Sequence, residues 1–227
     1  MCRSTGDIIC RYSSAAREYL IRTATALSRV ITFGARALTG AQARWTGSGP
    51  SQTQRIYFAN HTSHCDFLLV LASLPPSLRQ RTRPVAAADY WNQCALRRYL
   101  VNEAFRAVVI DRCGAHCVNP LGPVDAALNQ GDSILLFPEG TRGTGEGLLP
   151  FKSGIFHIAA AHPEVDLVPV WMDNAYRVLP KGCLLPIPLL CSVTFGEPLR
   201  LREHEAREEF LLRLHGCLIQ LAESRTA

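Results

Sequence analysis

The alternation of strand-like and helix-like segments after residue 54 is the feature that most restricts how this chain folds. Short runs rich in β-branched and aromatic residues alternate with segments of helical periodicity, and this order predicts an α/β domain. We therefore expect a single domain with a central, largely parallel or mixed sheet flanked by helices. The predicted strands are residues 55–59, 84–87, 107–110, 133–137, 167–171 and 190–195, and the predicted helices are residues 67–74, 91–101, 123–129, 155–161 and 203–224.

The composition excludes several other classes of protein. With 227 residues, of which 48% are apolar and 19% charged, the chain does not resemble a disordered protein and is short for two ordinary domains. Its longest near-continuous apolar run, residues 67–74, is less than half of what a bilayer-spanning helix needs, so we expect no membrane crossing. Arginines interrupt the apolar residues of the N-terminus, so we expect no secretory signal. Nine scattered cysteines, an odd number, favour a reducing compartment over a disulfide framework.

The basic character of the chain is confined to its N-terminal part. Residues 1–45 hold seven arginines against Asp7 and Glu18, a net charge of +5 that equals that of the whole chain. On a helix over residues 20–38, Arg22, Arg29 and Arg36 fall within about 40° of one another. The opposite face is apolar and carries Leu20, Ala24, Leu27, Ile31, Ala35 and Leu38.

This amphipathic pattern has two interpretations. It is typical of a helix that lies in a lipid interface with its arginines near anionic headgroups. The alternative, a helix that packs on its own domain with a solvated arginine face, stays open at this point. Nucleic-acid binding is not expected, because the rest of the chain has no basic patch interleaved with aromatic residues.

These observations divide the chain into three predicted segments. Residues 1–45 form an N-terminal amphipathic helical arm, residues 46–54 a linker rich in Gly, Ser and Gln, and residues 55–227 the α/β domain. We expect a cytoplasmic protein that lies peripherally on the inner face of the cell membrane.

A first polar cluster follows the first strand of the predicted domain, in the segment FANHTSHCDF. His61 and Asp66 are five positions apart, about 140° on a continuous helix, so they meet only if His61 lies in a loop and Asp66 in the first helical turn. Ser63 and Asp66 have the spacing of a capping box, and helix capping is the alternative role for Asp66. A histidine paired with a carboxylate suits general-base chemistry.

Metal binding is a further alternative for this region. His64 and Cys65 adjoin the His/Asp pair, and Cys113, His116 and Cys117 form a second group. Neither group has the spacing of a closed zinc site, so we expect no metal. The function that would correspond to a metal site is hydrolysis of a lipid ester or thioester.

Two more clusters contain cations at the ends of predicted strands. Arg112 closes the run RAVVIDR and is suited to bidentate binding of a phosphate; an ion pair at the strand end is the alternative. The segment from Phe137 to Arg142 leads into a glycine-rich loop, then to Lys152 and a helix that begins at Gly154. Glycines and a helix N-terminus favour an anion there, although the order of a P-loop is absent.

Four blocks together resemble the glycerolipid acyltransferase family, whose best-known members are the 1-acylglycerol-3-phosphate acyltransferases. They are NHTSHCD at residues 60–66, VVIDR at 108–112, FPEGTR at 137–142 and VPV at 168–170, in family order. Thr62, Ala107 and Gly143 depart from residues common in the family, and the acceptor lipid stays open for this reason.

The resemblance implies a role for each matching residue. His61 would be the general base and Asp66 its orienting partner. The acceptor's phosphate or glycerol part would be bound, with Lys152 assisting, by Arg112, Glu139, Gly140, Thr141 and Arg142. The acyl donor would be acyl-CoA or acyl carrier protein, with no metal, cofactor or covalent intermediate. The acceptor would be lysophosphatidate first, with another lysolipid, such as a lyso-aminolipid, or a noncatalytic lipid-binding function as alternatives.

Overall fold

The structure is a computed structural model that describes most of the chain. It covers residues 14–47, 49–63, 66–91, 93–111, 119–143, 147–173 and 191–224. Some predicted residues lie outside these ranges, namely Arg112 and the possible metal ligands His64, Cys65, Cys113, His116 and Cys117.

Helices and strands alternate along most of the described chain, with some consecutive helices and strands. The helices are α1 (Ser14–Thr39), α2 (Asp66–Ser73), α3 (Pro76–Arg81), α4 (Ala88–Trp91), α5 (Ala95–Tyr99, continued by a π-helical turn at Leu100–Ala104), α6 (Gly122–Asn129), α7 (Gly154–Ala161) and α8 (Arg207–Glu223). The strands are β1 (Gln42–Trp45), β2 (Arg55–Ala59), β3 (Thr82–Ala87), β4 (Val108–Ile110), β5 (Ser133–Leu136), β6 (Asp166–Met172) and β7 (Ser192–Phe195).

The strands form one mixed sheet of seven strands in the order β1-β7-β6-β2-β5-β3-β4. All neighbouring pairs are parallel except β6 and β7, which are antiparallel. The predicted fold class, a largely parallel or mixed sheet flanked by helices, is therefore confirmed.

Strand β2 lies in the middle of the sheet and divides the core into two layers. Its five residues are all buried, and alternate side chains point to opposite faces. Tyr57 and Ala59 pack in the layer that also contains residues of α2, such as Leu71. Ile56 and Phe58 pack in the layer that contains residues of α6, α7 and α8. A strand covered on both faces explains the continuous apolar run in this part of the sequence.

Several elements differ from the sequence-based predictions. Strand β1 was not predicted; it pairs with β7, and Trp45 stacks on Phe195 at 4.1 Å between ring centroids. It lies inside the segment predicted as the helical arm, so the arm leads directly into the sheet. Helix α3 was not predicted either, because it is short, begins at Pro76 and buries only Leu78 among its residues. The helix predicted at residues 91–101 is interrupted by extended backbone at Cys94.

Helix α1 confirms the predicted helix and packs on the domain along one face. Ala24 and Thr32 are buried, and Ile31 packs against the core layer that contains α2. Arg79 of α3 links α1 to α2. It donates to the hydroxyl of Thr32 in α1 at 3.1 Å and to backbone carbonyls at the end of α2. Burial lowers the pKa of Arg79.

The exposed part of α1 carries the three arginines of the predicted basic face, Arg22, Arg29 and Arg36. The predicted apolar face is not buried as a whole, because Leu20 and Leu38 keep 38% and 40% of their surface exposed. Among the described helices, none combines the length and the apolar character needed to cross a bilayer.

Candidate active site

The polar motifs of the sequence gather at one edge of the sheet. Strands β2, β3, β4, β5 and β6 run parallel, so their carboxyl ends face the same side. His61 lies just after β2, Asp111 just after β4, and the segment from Phe137 to Arg142 just after β5. Crevices at this edge are where open α/β sheets bind their ligands.

His61 and Asp66 form the pair that the sequence predicts. The Nδ1 atom of His61 lies 3.0 Å from Oδ2 of Asp66, whose side chain is fully buried. The same carboxylate oxygen accepts hydrogen bonds from the backbone N–H groups of Thr62 at 2.6 Å and Ser63 at 2.8 Å. Asp66 therefore organises the start of α2 and orients the imidazole at once, so the capping and pairing roles coexist in one side chain.

The imidazole of His61 is fixed by a second contact and opens onto a cavity. Its ring stacks on Phe137, with centroids 4.3 Å apart and planes at 20°. With Nδ1 engaged by Asp66, Nε2 has no hydrogen-bond partner among the described residues, and His61 is part of the cavity wall. A neutral imidazole in this orientation can accept a proton at Nε2.

The cavity has a volume of about 830 Å³ and walls of two kinds. Its charged and polar residues include His61, Thr141, Arg142 and Lys152, together with the carboxylates Asp89 and Asp111. The rest is largely apolar and includes Val85, Val101, Ile110, Leu136 and Ile155. A cavity with charged and polar groups beside an apolar surface suits a molecule that has a polar head and a hydrocarbon part.

The turn after β5 brings Lys152 to this cavity. Gly140 has a φ of +68° and donates its N–H to the carbonyl of Phe137 at 3.1 Å. A Cβ on Gly140 would lie 3.1 Å from Cγ of Lys152, so both the backbone conformation and the close approach favour glycine. The N–H of Lys152 donates to the carbonyl of Pro138 at 2.8 Å, and this hydrogen bond fixes the backbone of Lys152 relative to the turn after β5.

Glu139 has a different environment from the residues around it. Only 2% of its surface is exposed. Its Oε1 accepts the backbone N–H of His61 at 2.7 Å, and its Oε2 accepts that of Leu149 at 3.0 Å. Burial raises the pKa of this carboxyl, and the two backbone donors oppose the shift.

The outcome for the predicted binding residues is therefore divided. Gly140, Thr141, Arg142 and Lys152 line the cavity with His61, whereas Glu139 is not part of its wall. Arg112 lies outside the described residues, although Asp111 before it lines the cavity. Four of the predicted binding residues therefore line the same cavity as His61.

Sequence reasoning did not single out Asn60 by itself. Its amide nitrogen donates to the carbonyl of Met172 at 3.1 Å, and its oxygen accepts the N–H of Met172 at 2.8 Å. These bonds join the ends of β2 and β6 directly below the His61 loop. The sequence feature that could have indicated Asn60 is an amide side chain immediately after an apolar strand. A polar group buried there without a partner would be costly, so partners are expected.

The VPV block is part of the sheet. Val168 and Val170 are fully buried in β6 and lie opposite Tyr57 and Ala59 of β2. They support the strand that carries His61 and do not contribute to the cavity wall.

The described residues were also considered as ligands of a metal ion. No group of three or more His, Cys, Asp and Glu side chains in those ranges is suitable for holding a metal ion. Of the possible ligands named from the sequence, His64, Cys65, Cys113, His116 and Cys117 lie outside those ranges, whereas His61 and Asp66 lie inside them.

Comparisons with known proteins find relatives that belong to one family. The model of the Acyltransferase family matches residues 44–173. A 1-acyl-sn-glycerol-3-phosphate acyltransferase of Cocos nucifera is 28% identical over 190 residues, 79% of this chain and 58% of the relative. One of Haemophilus influenzae is 33% identical over 127 residues, 55% of this chain and 50% of the relative. The chain thus spans about half the length of these curated relatives.

A solved structure has the same fold. The crystal structure of the 1-acyl-sn-glycerophosphate acyltransferase PlsC from Thermotoga maritima superposes with a TM-score of 0.69 at 21% identity and covers 98% of this chain and 88% of that one. The family model covers more than half of the chain and includes the described His/Asp pair and the segment at 137–142. The chain therefore belongs to the Acyltransferase family.

Proposed function

We propose that this protein transfers a fatty acyl group from an acyl thioester to the free hydroxyl of a lysophospholipid, with 1-acylglycerol-3-phosphate, which gives phosphatidate, as the first candidate. The observation that carries the proposal is the His61–Asp66 pair, with Nε2 of His61 turned away from Asp66 in the wall of a cavity that also contains Arg142 and Lys152. The curated relatives named above carry the same activity in their names.

The chemistry begins with a proton transfer at Nε2 of His61. As the acceptor hydroxyl loses its proton to this nitrogen, its oxygen attacks the thioester carbonyl carbon, and the C–S bond breaks when the tetrahedral intermediate collapses. The thiolate then takes the proton from the imidazolium, which restores the base. Asp66 holds the neutral imidazole with its proton on Nδ1 and stabilises the imidazolium that forms.

The cations of the cavity are suited to the acceptor's phosphate. Arg142, which lines the cavity, provides a planar guanidinium for bidentate contacts, and Lys152, which lines it too, provides a point charge. By resemblance, Arg112 contributes to the same binding, and Gly140 and Thr141 complete the polar surface. These groups orient the acceptor hydroxyl toward His61, and proximity of this kind supplies a large part of the rate.

The acyl donor is either acyl-CoA or acyl carrier protein, and its chain would occupy the apolar part of the cavity. The apolar walls contributed by β3, β4 and α7 support this assignment, because burial of each methylene favours binding by about 0.8 kcal/mol. The mechanism needs no cofactor and no metal ion.

Helix α1 is proposed to hold the protein on an anionic membrane surface. Tyr19, Val30 and Phe33 keep 69%, 67% and 74% of their surface exposed, and on a helix they fall within about 60° of one another. Arg22, Arg29 and Arg36 lie along one side of this apolar stripe. An exposed apolar stripe beside arginines is the arrangement expected of a helix at a lipid interface.

The activity is tested by acyl transfer from a long-chain acyl-CoA to a panel of lysophospholipids in the presence of a metal chelator. The proposal expects diacyl product from lysophosphatidate, resistant to the chelator. Product from another lysolipid alone would change the acceptor. If the protein binds lysolipids but transfers no acyl group from acyl-CoA or acyl carrier protein, it is a lipid-binding protein and the proposed enzymatic activity is wrong.

The membrane contact is tested with substitutions, because strand β1 follows α1 and deleting residues 1–45 would remove part of the sheet. A variant with Tyr19→Ser, Val30→Ser and Phe33→Ser should no longer sediment with vesicles that contain an anionic phospholipid. Leu212→Ser is the matched control, since Leu212 is 73% exposed on α8. Unchanged sedimentation of the triple variant would contradict the proposed contact.

A further inference from the structure

Glu139 is a buried carboxylate inside a segment whose next three residues line the cavity. Gly140, Thr141 and Arg142 are part of the cavity wall, whereas Glu139 is 2% exposed and is not. A side chain in this position has no surface on which to meet the acceptor. Its function therefore has to be sought in what its two oxygens contact.

Both oxygens of Glu139 accept backbone N–H groups from other loops. Oε1 accepts that of His61 at 2.7 Å, and Oε2 accepts that of Leu149 at 3.0 Å. The carbonyl of His61 in turn accepts the N–H of Gly143 at 2.8 Å. The main chain of His61 is thus bound on both sides by the segment from Glu139 to Gly143.

We infer that Glu139 is a positioning residue: its carboxylate sets the main chain of His61, so that Nε2 faces the cavity, and does not bind the acceptor. The inference rests on the proposed acyl transfer, in which His61 is the base. It assigns the imidazole three separate constraints, namely Asp66 on Nδ1, Phe137 on the ring face and Glu139 on the backbone.

The chemistry of this position requires a carboxylate. An ionised carboxylate offers an acceptor oxygen to each of two N–H donors. Glutamine has the same shape, but it offers one acceptor and an NH₂ group, so one of the two backbone N–H groups would face another donor. Glu139→Gln therefore removes the function with little change in volume.

Steady-state kinetics separate positioning from acceptor binding. Glu139→Gln is expected to lower kcat by about tenfold or more and to leave the KM for the lysophospholipid within about twofold. Arg142→Gln, on the cavity wall, is the comparison and should raise that KM. A Glu139→Gln variant that raises the acceptor KM with kcat retained would overturn the inference.

A double-mutant cycle tests whether Glu139 acts through His61. In the His61→Ala background there is no base to position, so adding Glu139→Gln should not lower the residual rate further. If the rate loss of the double variant equals the product of the losses of the two single variants, Glu139 acts independently of His61, which would contradict the inference.

Amide hydrogen exchange gives a readout that does not depend on activity. Glu139→Gln should accelerate exchange at the His61 amide relative to wild type, while the amide of Phe58 in β2 keeps its protection. Unchanged exchange at His61 would overturn the inference. If the glutamine variant does not fold, Glu139→Asp, whose shorter carboxylate cannot span both amides, should show the same loss of kcat with unchanged KM, and a raised KM would again count against it.

The same measurements distinguish this inference from the proposed function. A wild-type protein that transfers no acyl group would refute the activity, and the exchange experiment would still decide whether Glu139 holds His61. A wild-type protein that does transfer, with a Glu139→Gln variant of normal kcat, would refute the inference alone.

Discussion

Two histidine–aspartate pairs occur in the described parts of this protein, and only one of them lies in the cavity wall. His61 and Asp66 approach to 3.0 Å, and His162 and Asp125 to 3.3 Å. The second pair joins the end of α7 to α6. The two pairs are similar in composition and distance and differ in what surrounds them.

The surroundings determine which ring nitrogen is available. His61 uses Nδ1 for a fully buried aspartate and keeps 18% of its side chain exposed. His162 uses Nε2 for Asp125, its Nδ1 lies 3.9 Å from Glu164, and its side chain is 8% exposed. Asp125 is 31% exposed, so water also solvates this carboxylate.

A short His–Asp distance is therefore not sufficient to identify a base. A base also needs a free nitrogen that faces a space for the substrate, and a partner that cannot turn away. His61 satisfies both conditions, since two backbone N–H groups hold Oδ2 of the buried Asp66. His162 satisfies neither, and we assign its pair to the packing of α6 against α7.

The largest expected effect distinguishes the two histidines. His61→Ala should lower turnover by about 10²–10⁴-fold, the range for removal of a general base. His162→Ala, the matched control, should keep turnover close to that of the wild type. Both are measured as initial rates of acyl transfer on protein of verified folding. Equal losses in the two variants would mean that stability, and not proton transfer, explains the effect.

The aspartates provide the next test. Asp66→Asn preserves an oxygen for the N–H groups of Thr62 and Ser63 but removes the charge that stabilises the imidazolium, so turnover should fall by about 10²-fold. The corresponding Asp125→Asn should have no effect on turnover. The comparison fails if Asp66→Asn retains the wild-type rate.

A third prediction concerns the aromatic ring that stacks on the histidine of the first pair. Phe137→Leu removes the stacked face under His61 and loosens the imidazole, which should lower kcat by up to about tenfold. The KM for the donor is the control, because the leucine still supplies apolar surface. A large rise in that KM with normal kcat would assign Phe137 to donor binding.

The smallest expected effect is on stability. Because Asp125 is partly exposed, Asp125→Asn should lower the free energy of unfolding by less than about 1 kcal/mol, measured by urea denaturation. A loss of several kcal/mol would show that this pair contributes more to the fold than its exposure indicates.

Much of the fold was accessible from sequence because the central strands are buried on both faces. The six predicted strands are present, since continuous apolar runs between polar loops leave few alternatives. Strand β1 was missed because its four residues alternate in burial at the sheet edge, directly after a long helix.

The site was predictable to the extent that it depends on side-chain identity. The spacing of His61 and Asp66 requires a loop followed by a helix start, and the structure has that geometry. The environment of Glu139 was not predictable, because its partners are backbone N–H groups at residues 61 and 149, and any residue type except proline provides those. Backbone partners leave no pattern in the sequence.

The short connection between α1 and the sheet has a consequence for how the protein would meet a membrane. Thr39 ends the helix, two residues precede Gln42 of β1, and the carbonyl of Thr39 accepts the N–H of Cys191 at 2.9 Å. Because α1 also packs on the domain through Ala24, Ile31 and Thr32, we expect it to move together with the sheet. Once the proposed apolar stripe rests on lipid, the cavity is held at a constant height and angle above the bilayer plane, and lysolipids that diffuse in that plane would all arrive from the same direction.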